Sequence, residues 1–339
     1  MRKKKNEYIA VGGQALMEGI MMKGPKGTAM SLRLPDGSIE TQMKDFVSVR
    51  KKFKPFNLPI IRGVVSFVES MIFGYKLIME SAEKTSMDLE EEAESKLDKW
   101  ISDHFGPKMM AVVTGISMVL GCGLAFVLFF YLPTFLVDTV DKHLFKDALA
   151  NLHPLFEGIM RMFIFVAYIW LVSKVPDIKK VFMYHGAEHK TIHAFEAGGM
   201  VTVATARKGS RLHPRCGTTF LLFVLSLAII LHTVLVPLFL MAWHPESAPL
   251  RHAGIVLFKI LLIVPVSSMA YELIRWSAAL EGGFCVRVLR APGLFLQYLT
   301  TREPDDAQLE VAVAALREAL GPDSPYADRF ETAENTVTE

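Results

Sequence analysis

Residues 109–133 read MMAVVTGISMVLGCGLAFVLFFYLP, an uncharged apolar run. A helix needs roughly 20 such residues to cross the hydrocarbon core of a bilayer. The run therefore reads as a membrane span, and the chain is neither an ordinary soluble enzyme nor a disordered regulator. Outward from it come three more apolar stretches, 155–175, 218–241 and 253–274. The second span carries Glu157 and Arg161, and the fourth carries Lys259 and Glu272. Lys and Arg number 18 through Lys108, then 2, 8, 1 and 6 in the successive segments between and after the spans. Positive charge gathers on the cytoplasmic side. The alternation predicts four spans in the cell inner (plasma) membrane, with both termini cytoplasmic.

Residues 58–80, LPIIRGVVSFVESMIFGYKLIME, are apolar but carry Arg62, Glu69 and Lys76. Basic residues flank the segment on both sides. It is expected to lie as an interfacial or re-entrant helix rather than as a fifth span. The predicted fold class is a mainly α polytopic membrane protein, with a small β unit at its N-terminus on the cytoplasmic side.

Five segments follow from these patterns. Residues 1–55 form the β-rich unit, with strands expected at 29–34 and 38–42 around Pro35-Asp36-Gly37, a turn signal. Residues 56–108 hold the interfacial helix and a charged helix over 81–103. Residues 109–276 are the four-span domain, with a cytoplasmic insert at 176–216. In that insert a helix is expected from Asp177 to Ala197, stopped by Gly198-Gly199, and then a short strand at 201–206. Residues 277–320 hold an amphipathic stretch to Leu299 and a helix from Pro304 to Leu320. Residues 321–339 read as a mobile polar tail.

The net charge of +2 is too balanced for nucleic acid to be a partner. The bilayer is the expected partner, and a lipid or a membrane-protein segment is the expected substrate. Nothing in the pattern specifies an oligomeric state. Three scattered cysteines, Cys122, Cys216 and Cys285, do not make a disulfide framework and suit a reducing compartment.

The chemistry concentrates in Tyr184-His185-Gly186-Ala187-Glu188-His189-Lys190-Thr191-Ile192-His193-Ala194-Phe195-Glu196. At 100° per residue, His185, His189 and Glu196 share a helix face, and His193 lies just beyond. Two imidazoles at i and i+4 can reach one metal ion. His185-x-x-Glu188-His189 also reads as the inverted zincin pattern, with Glu188 as general base. His213 and Cys216 follow as a second ligand pair in a basic loop. Two nitrogen donors from a helix with a His and a Cys from a loop suit tetrahedral zinc. His193, Glu196, Glu272 and Glu18 are further ligand candidates. Four protein ligands would make the site structural, whereas three with an open position would make it catalytic.

Elsewhere Gly12-Gly13 reads as a glycine turn ahead of a strand, and Met17, Met21, Met22 and Met30 as core or membrane contacts. Glu272 and Arg275 are expected to pair along their own helix. Glu157, Arg161, His232 and Lys259 all fall at membrane depth. Such groups are costly there and should face one another.

The stretches GGQALMEGIMM (12–22), YHGAEHKTIHAFE (184–196), HPRCGTTF (213–220), YELIR (271–275) and PGLFLQYLTT (292–301) resemble the YqhQ family of bacterial multi-pass membrane proteins. The resemblance implies membrane embedding and metal at His185, His189, His213 and Cys216, within a metal-dependent enzyme of unestablished reaction. It supplies no substrate. The functional readings are therefore a metal-dependent enzyme, hydrolase-like, at the cytoplasmic membrane face; a non-catalytic assembly factor or scaffold with structural zinc; and a small transporter using its intramembrane charges.

Overall fold

The computed structural model describes residues 11–86, 112–113, 115–146, 152–214, 216–279 and 283–330. The chain divides into two compact units, one of Met1–Ser86, Leu171–Leu222 and Tyr271–Glu339, the other of Met87–Trp170 and Phe223–Ala270.

The first unit is built on an antiparallel meander: β1 (Gly12–Leu16), β2 (Gly19–Lys23), β3 (Thr28–Arg33) and β4 (Ile39–Lys44), neighbours in that order. Alternation along the strands splits the apolar side chains between two faces. Ala15, Ile20, Met22 and Ala29 join one core cluster, and Leu16, Met30 and Leu32 join another with Leu77. The first cluster packs under α4 (Pro176–Glu196) and α10 (Asp306–Leu320), the second under α1 (Pro59–Ser86). The unit thus has helices on both faces of its sheet, with Met22 and Met30 among the core residues.

Gly12-Gly13 is part of β1 rather than a turn ahead of a strand. A Cβ at Gly13 would sit 2.5 Å from the Met21 carbonyl oxygen and 3.0 Å from the Glu188 carboxyl carbon, so close approach explains the glycine. The turn at Pro35-Asp36-Gly37 forms as expected. Gly37 takes a φ of 84°, and Asp36 accepts from the Ser38 backbone N–H at 2.8 Å. The flanking strands are shifted by one or two residues from their expected limits.

Helix α1 is not among the four helices that, among the described residues, are apolar and long enough to cross a membrane. Several of its charges have partners within its own unit. Arg62 donates twice to Glu272 at 2.7 Å, Glu69 accepts from the Ser48 hydroxyl at 2.7 Å, and Glu80 pairs with Lys44. Glu272 therefore pairs across helices with Arg62, a partner its own helix does not contain. The expected charged helix is continuous with α1 as far as Ser86, and the rest of it, with the side chain of Arg275, lies outside the description.

The four candidate spans are α2 (Gly115–Phe145), α3 (His153–Val172), the inner part of α6 (Gly217–Ala242), and the pair α7 (Ala248–Leu261) and α8 (Ile263–Ala279), which run as one apolar segment over Pro249–Leu273. This is a multi-pass membrane protein. α2 continues well past Pro133, the expected end of the first span, and contains π-helical turns at Val127–Tyr131 and Asp141–Phe145.

Between α4 and α6 the expected strand at 201–206 is instead α5 (Val203–Arg207). Thr202 caps it in a capping box with Thr205, which favours a helix start over a strand. Only Val201 makes a β-bridge, to Phe330. Phe330 is buried, and Arg329 donates to the Phe195 and Gly199 carbonyls. Residues 321–330 therefore close the core of the first unit, where a mobile tail was expected; residues 331–339 lie outside the description.

Helix α9 (Phe284–Thr300) leads to α10, whose Leu309, Ala312, Leu316 and Ala319 recur at helical spacing and are fully buried. Asp305 caps α10, accepting from the Gln308 backbone N–H at 2.8 Å. Asp305→Ala should lower stability by about 1 kcal/mol. A thermal melt of the detergent-purified chain, followed at 222 nm, reads this as a lower midpoint with unchanged starting helicity.

Candidate metal centre

Helix α4 starts with Pro176 at its first turn and passes into Gly198, whose φ is 86°. Its middle, Tyr184 to Ile192, is buried on every side, between the sheet, α10 and the loop after α5. This explains how a stretch with His, Glu and Lys comes to lie inside. Lys190 donates to the Arg207 and Gly209 carbonyls, both at 3.0 Å, and pairs with Glu303. It ties the loop after α5 onto α4.

His185, His189 and Cys216 form a buried group whose ligand atoms lie within 4.8 Å of one another. His185 donates from Nδ1 to the Thr300 carbonyl at 2.8 Å, and its Nε2 is 3.1 Å from Cys216 Sγ. Thr300 ends α9, where helix carbonyls lack intrahelical partners. His189 donates from Nδ1 to the Arg211 carbonyl at 2.5 Å. Its Nε2 is buried and has no hydrogen-bond partner among the described residues. The same tautomer is set in both rings, with Nδ1 protonated and the Nε2 lone pair directed into the group. Carbonyl-anchored imidazoles are the usual support of metal-ligating histidines. Burial also holds the His189 pKa well below the ordinary value, which keeps the ring neutral and able to ligate.

Glu188 is buried beside this group and outside it. It accepts a hydrogen bond from the Gly13 backbone N–H. Burial pushes its pKa up to about 7, opposed by His185 and by the Gly13 N–H and reinforced by Cys216.

The loop that delivers Cys216 is anchored by Gln297, which is fully buried. Its Oε1 accepts from the His213 N–H at 2.8 Å and its Nε2 donates to the His213 carbonyl at 2.9 Å. This two-point clamp fixes the His213 backbone, and the His213 ring lies next to His189, with centroids 5.7 Å apart, outside the set of ligand atoms within 4.8 Å of one another. His213 Nε2 lies 3.5 Å from Glu196, and its ring packs edge-on to His193. Burial lowers the His213 pKa to about 4. His193 donates from Nε2 to the Leu212 carbonyl at 2.9 Å. The convergent set is therefore His185, His189 and Cys216, with His213, His193 and Glu196 as a neighbouring polar cluster. Glu272 lies with Arg62, and Glu18 with Lys180 and Tyr184, so neither reaches the group.

Arg211, Gln297 and Thr300 have no role in the sequence reading, and Gly13 figures there only as part of a glycine turn. Gln297 alone left a trace, as one amide in the apolar stretch PGLFLQYL. The two backbone carbonyls carry no residue-type signal at all. In the second unit, Glu157, Arg161 and Lys259 meet, with His232 beside them.

Four candidate spans, a small sheet between helices and a buried His–His–Cys group define the class: a multi-pass membrane protein with a potential metal centre. Residues 58–322 match the family described as "Protein of unknown function (DUF1385)", and the chain belongs to that family. It is 31% identical over 316 residues to the "Uncharacterized protein YqhQ" of Bacillus subtilis (strain 168), covering 92% of each chain. No solved structure matches it.

Proposed function

We propose that His185, His189 and Cys216 hold one zinc ion, and that the protein is a metal-dependent, hydrolase-like enzyme at the cytoplasmic face of the plasma membrane. The observation that carries this reading is the His189 Nε2, buried, partnerless among the described residues and directed at a second imidazole nitrogen and a thiol. Two nitrogens and one sulfur are a borderline-soft donor set that suits zinc. With His213 beside His189 but outside the convergent set, three protein ligands leave a fourth position open, the pattern of catalytic rather than structural zinc. Bound there, zinc supplies Lewis-acid activation of water or of a substrate carbonyl or phosphoryl group. Glu188, beside the ligands and oriented by the Gly13 N–H, is the residue placed to move a proton. The substrate class is a lipid or a membrane-protein segment.

Glu188→Gln tests this division of labour. The amide preserves shape and can still accept from Gly13, so zinc content should equal that of the wild type. Cobalt-substituted protein should keep its thiolate-to-metal absorption band in this variant. Loss of the metal would make Glu188 a ligand and overturn the assignment. The side of the membrane is tested separately. A reporter fused after Ser210 should read cytoplasmic and one after His244 external. An external signal after Ser210 would place the metal centre on the opposite face.

A further inference from the structure

The second unit carries a charged centre that the metal chemistry does not use. Glu157 on α3 bridges two cations: Arg161, one turn on, reaches its Oε1 at 2.5 Å, and Lys259 on α7 reaches its two oxygens at 3.2 and 3.3 Å. The side chains of Glu157, Arg161 and Lys259 keep only 9%, 14% and 20% of their exposure. Arg161 also donates from Nε to the Phe129 carbonyl at 2.9 Å. Phe129 lies in the π-helical turn of α2, a local irregularity of the kind often found at functional sites. His232 on α6 lies within electrostatic range of all three charges. Its ring approaches the Lys259 backbone, and both of its nitrogens are buried without a hydrogen bond of regular geometry.

Two imbalances coincide here. Two cations face one carboxylate, which leaves a net charge of +1 while His232 is neutral. Donors also outnumber acceptors. Arginine offers five N–H groups and lysine three. Their hydrogen-bond acceptors among the described residues are the Glu157 carboxylate and one backbone carbonyl, and the Phe130 ring stands 5.6 Å from the Arg161 guanidinium. An uncompensated charge and unmatched donors at membrane depth are both costly. One species cures both: an acceptor that carries a single negative charge.

Depth favours a small ion over a lipid phosphate. At 1.5 Å per residue, Arg161 lies about 12 Å along α3 from His153. His232 lies about 15 Å from Ala242, and Lys259 about 15 Å from Pro249. These distances are about half the thickness of a hydrocarbon core of roughly 30 Å, well away from headgroups.

We propose that Arg161, Lys259 and His232, with Glu157 as their internal counter-charge, form a binding site for one small monovalent anion such as chloride, nitrate or acetate within the membrane unit. Glu157 orients the two cations and at the same time lowers the affinity. An anion that binds there competes with its charge.

The test is equilibrium binding to the purified full-length chain in detergent, with gluconate replacing the probe anion at constant ionic strength. Labelled chloride is the first probe, with nitrate and acetate as competitors. The wild type should show one saturable site per chain. Lys259→Met should weaken binding at least tenfold, Lys259→Arg should retain it, and Glu157→Gln should tighten it at least tenfold. A cluster serving only to join helices would bind none of the three anions, whatever the variants do. The proposal is overturned if no saturable binding of chloride, nitrate or acetate is found on wild-type protein. It is equally overturned if a folded Lys259→Met variant binds as the wild type does, or if Glu157→Gln binds more weakly.

Discussion

Zinc content should fall from about one ion per chain to none in His189→Ala and in Cys216→Ser, while His213→Ala keeps its zinc. His189 brings to the group the nitrogen that has no other partner, and Cys216 brings the only sulfur. Removing either leaves two protein donors. Two donors cannot hold the ion against a chelator, since even losing an outer hydrogen-bond partner costs roughly 10–100-fold in affinity. His213 stands next to His189 but outside the convergent set, with its Nε2 toward Glu196, so its loss should remove no ligand. Metal analysis after gel filtration in the presence of a weak chelator gives the stoichiometry. Cobalt spectra of the wild type give the ligand count. A His213→Ala variant without zinc would return the site to four ligands, and with them to a structural role. Full zinc in Cys216→Ser would remove the sulfur from the site.

The second large effect concerns a residue with no chemistry of its own. A Cβ at Gly186 would stand 2.0 Å from the Arg302 carbonyl oxygen, a backbone atom with no rotamer to escape by. Arg302 is itself held to α4, its N–H donating to the Phe182 carbonyl at 2.8 Å. Gly186→Ala must therefore push the connection between α9 and α10 off α4. Overpacking of this kind costs about 3 kcal/mol or more where the backbone has to move. The displacement reaches Thr300, two residues before Arg302, whose carbonyl orients His185. Zinc affinity should fall by roughly 10–100-fold along with stability. Gly199→Ala is the control: nothing lies within 4 Å of a Cβ there, and its melting midpoint should hardly move. A Gly186→Ala chain that melts and binds zinc like the wild type would show that the connection is not held where it is described.

The motif around His185 and His189 is local, and helical spacing alone places both rings on one face. The grouping of Cys216 with them also follows the spacing argument, because a His–Cys pair in a loop entering a helix has few places to go. The same reasoning also expected the ring of His213 in the group, and it lies beside His189 but outside the set of mutually close ligand atoms. Its backbone is held by Gln297, 84 residues away in sequence, and no periodicity reports a contact of that kind. The strand expected at 201–206 failed for a smaller reason. Val, Thr and Ala are acceptable in either state, and the Thr202–Thr205 capping pair decides for helix.

The apolar runs determine by themselves that the chain crosses a membrane and how many helices it uses. Transfer of about 20 apolar residues into lipid is an additive, local free energy that any window of the sequence carries. The same holds for the Asp36-Gly37 turn and for the i, i+4 histidines, whose geometry is set within a few residues. Tertiary structure alone decides which candidates come together. The Thr300 carbonyl that orients His185 is 115 residues distant, and the Arg211 carbonyl that orients His189 comes from a loop. It also decides that Arg62 pairs with Glu272, and that Glu157 gathers Arg161 and Lys259 into one charged centre. Convergence of polar groups is a property of packed elements far apart in sequence, and only the fold supplies it.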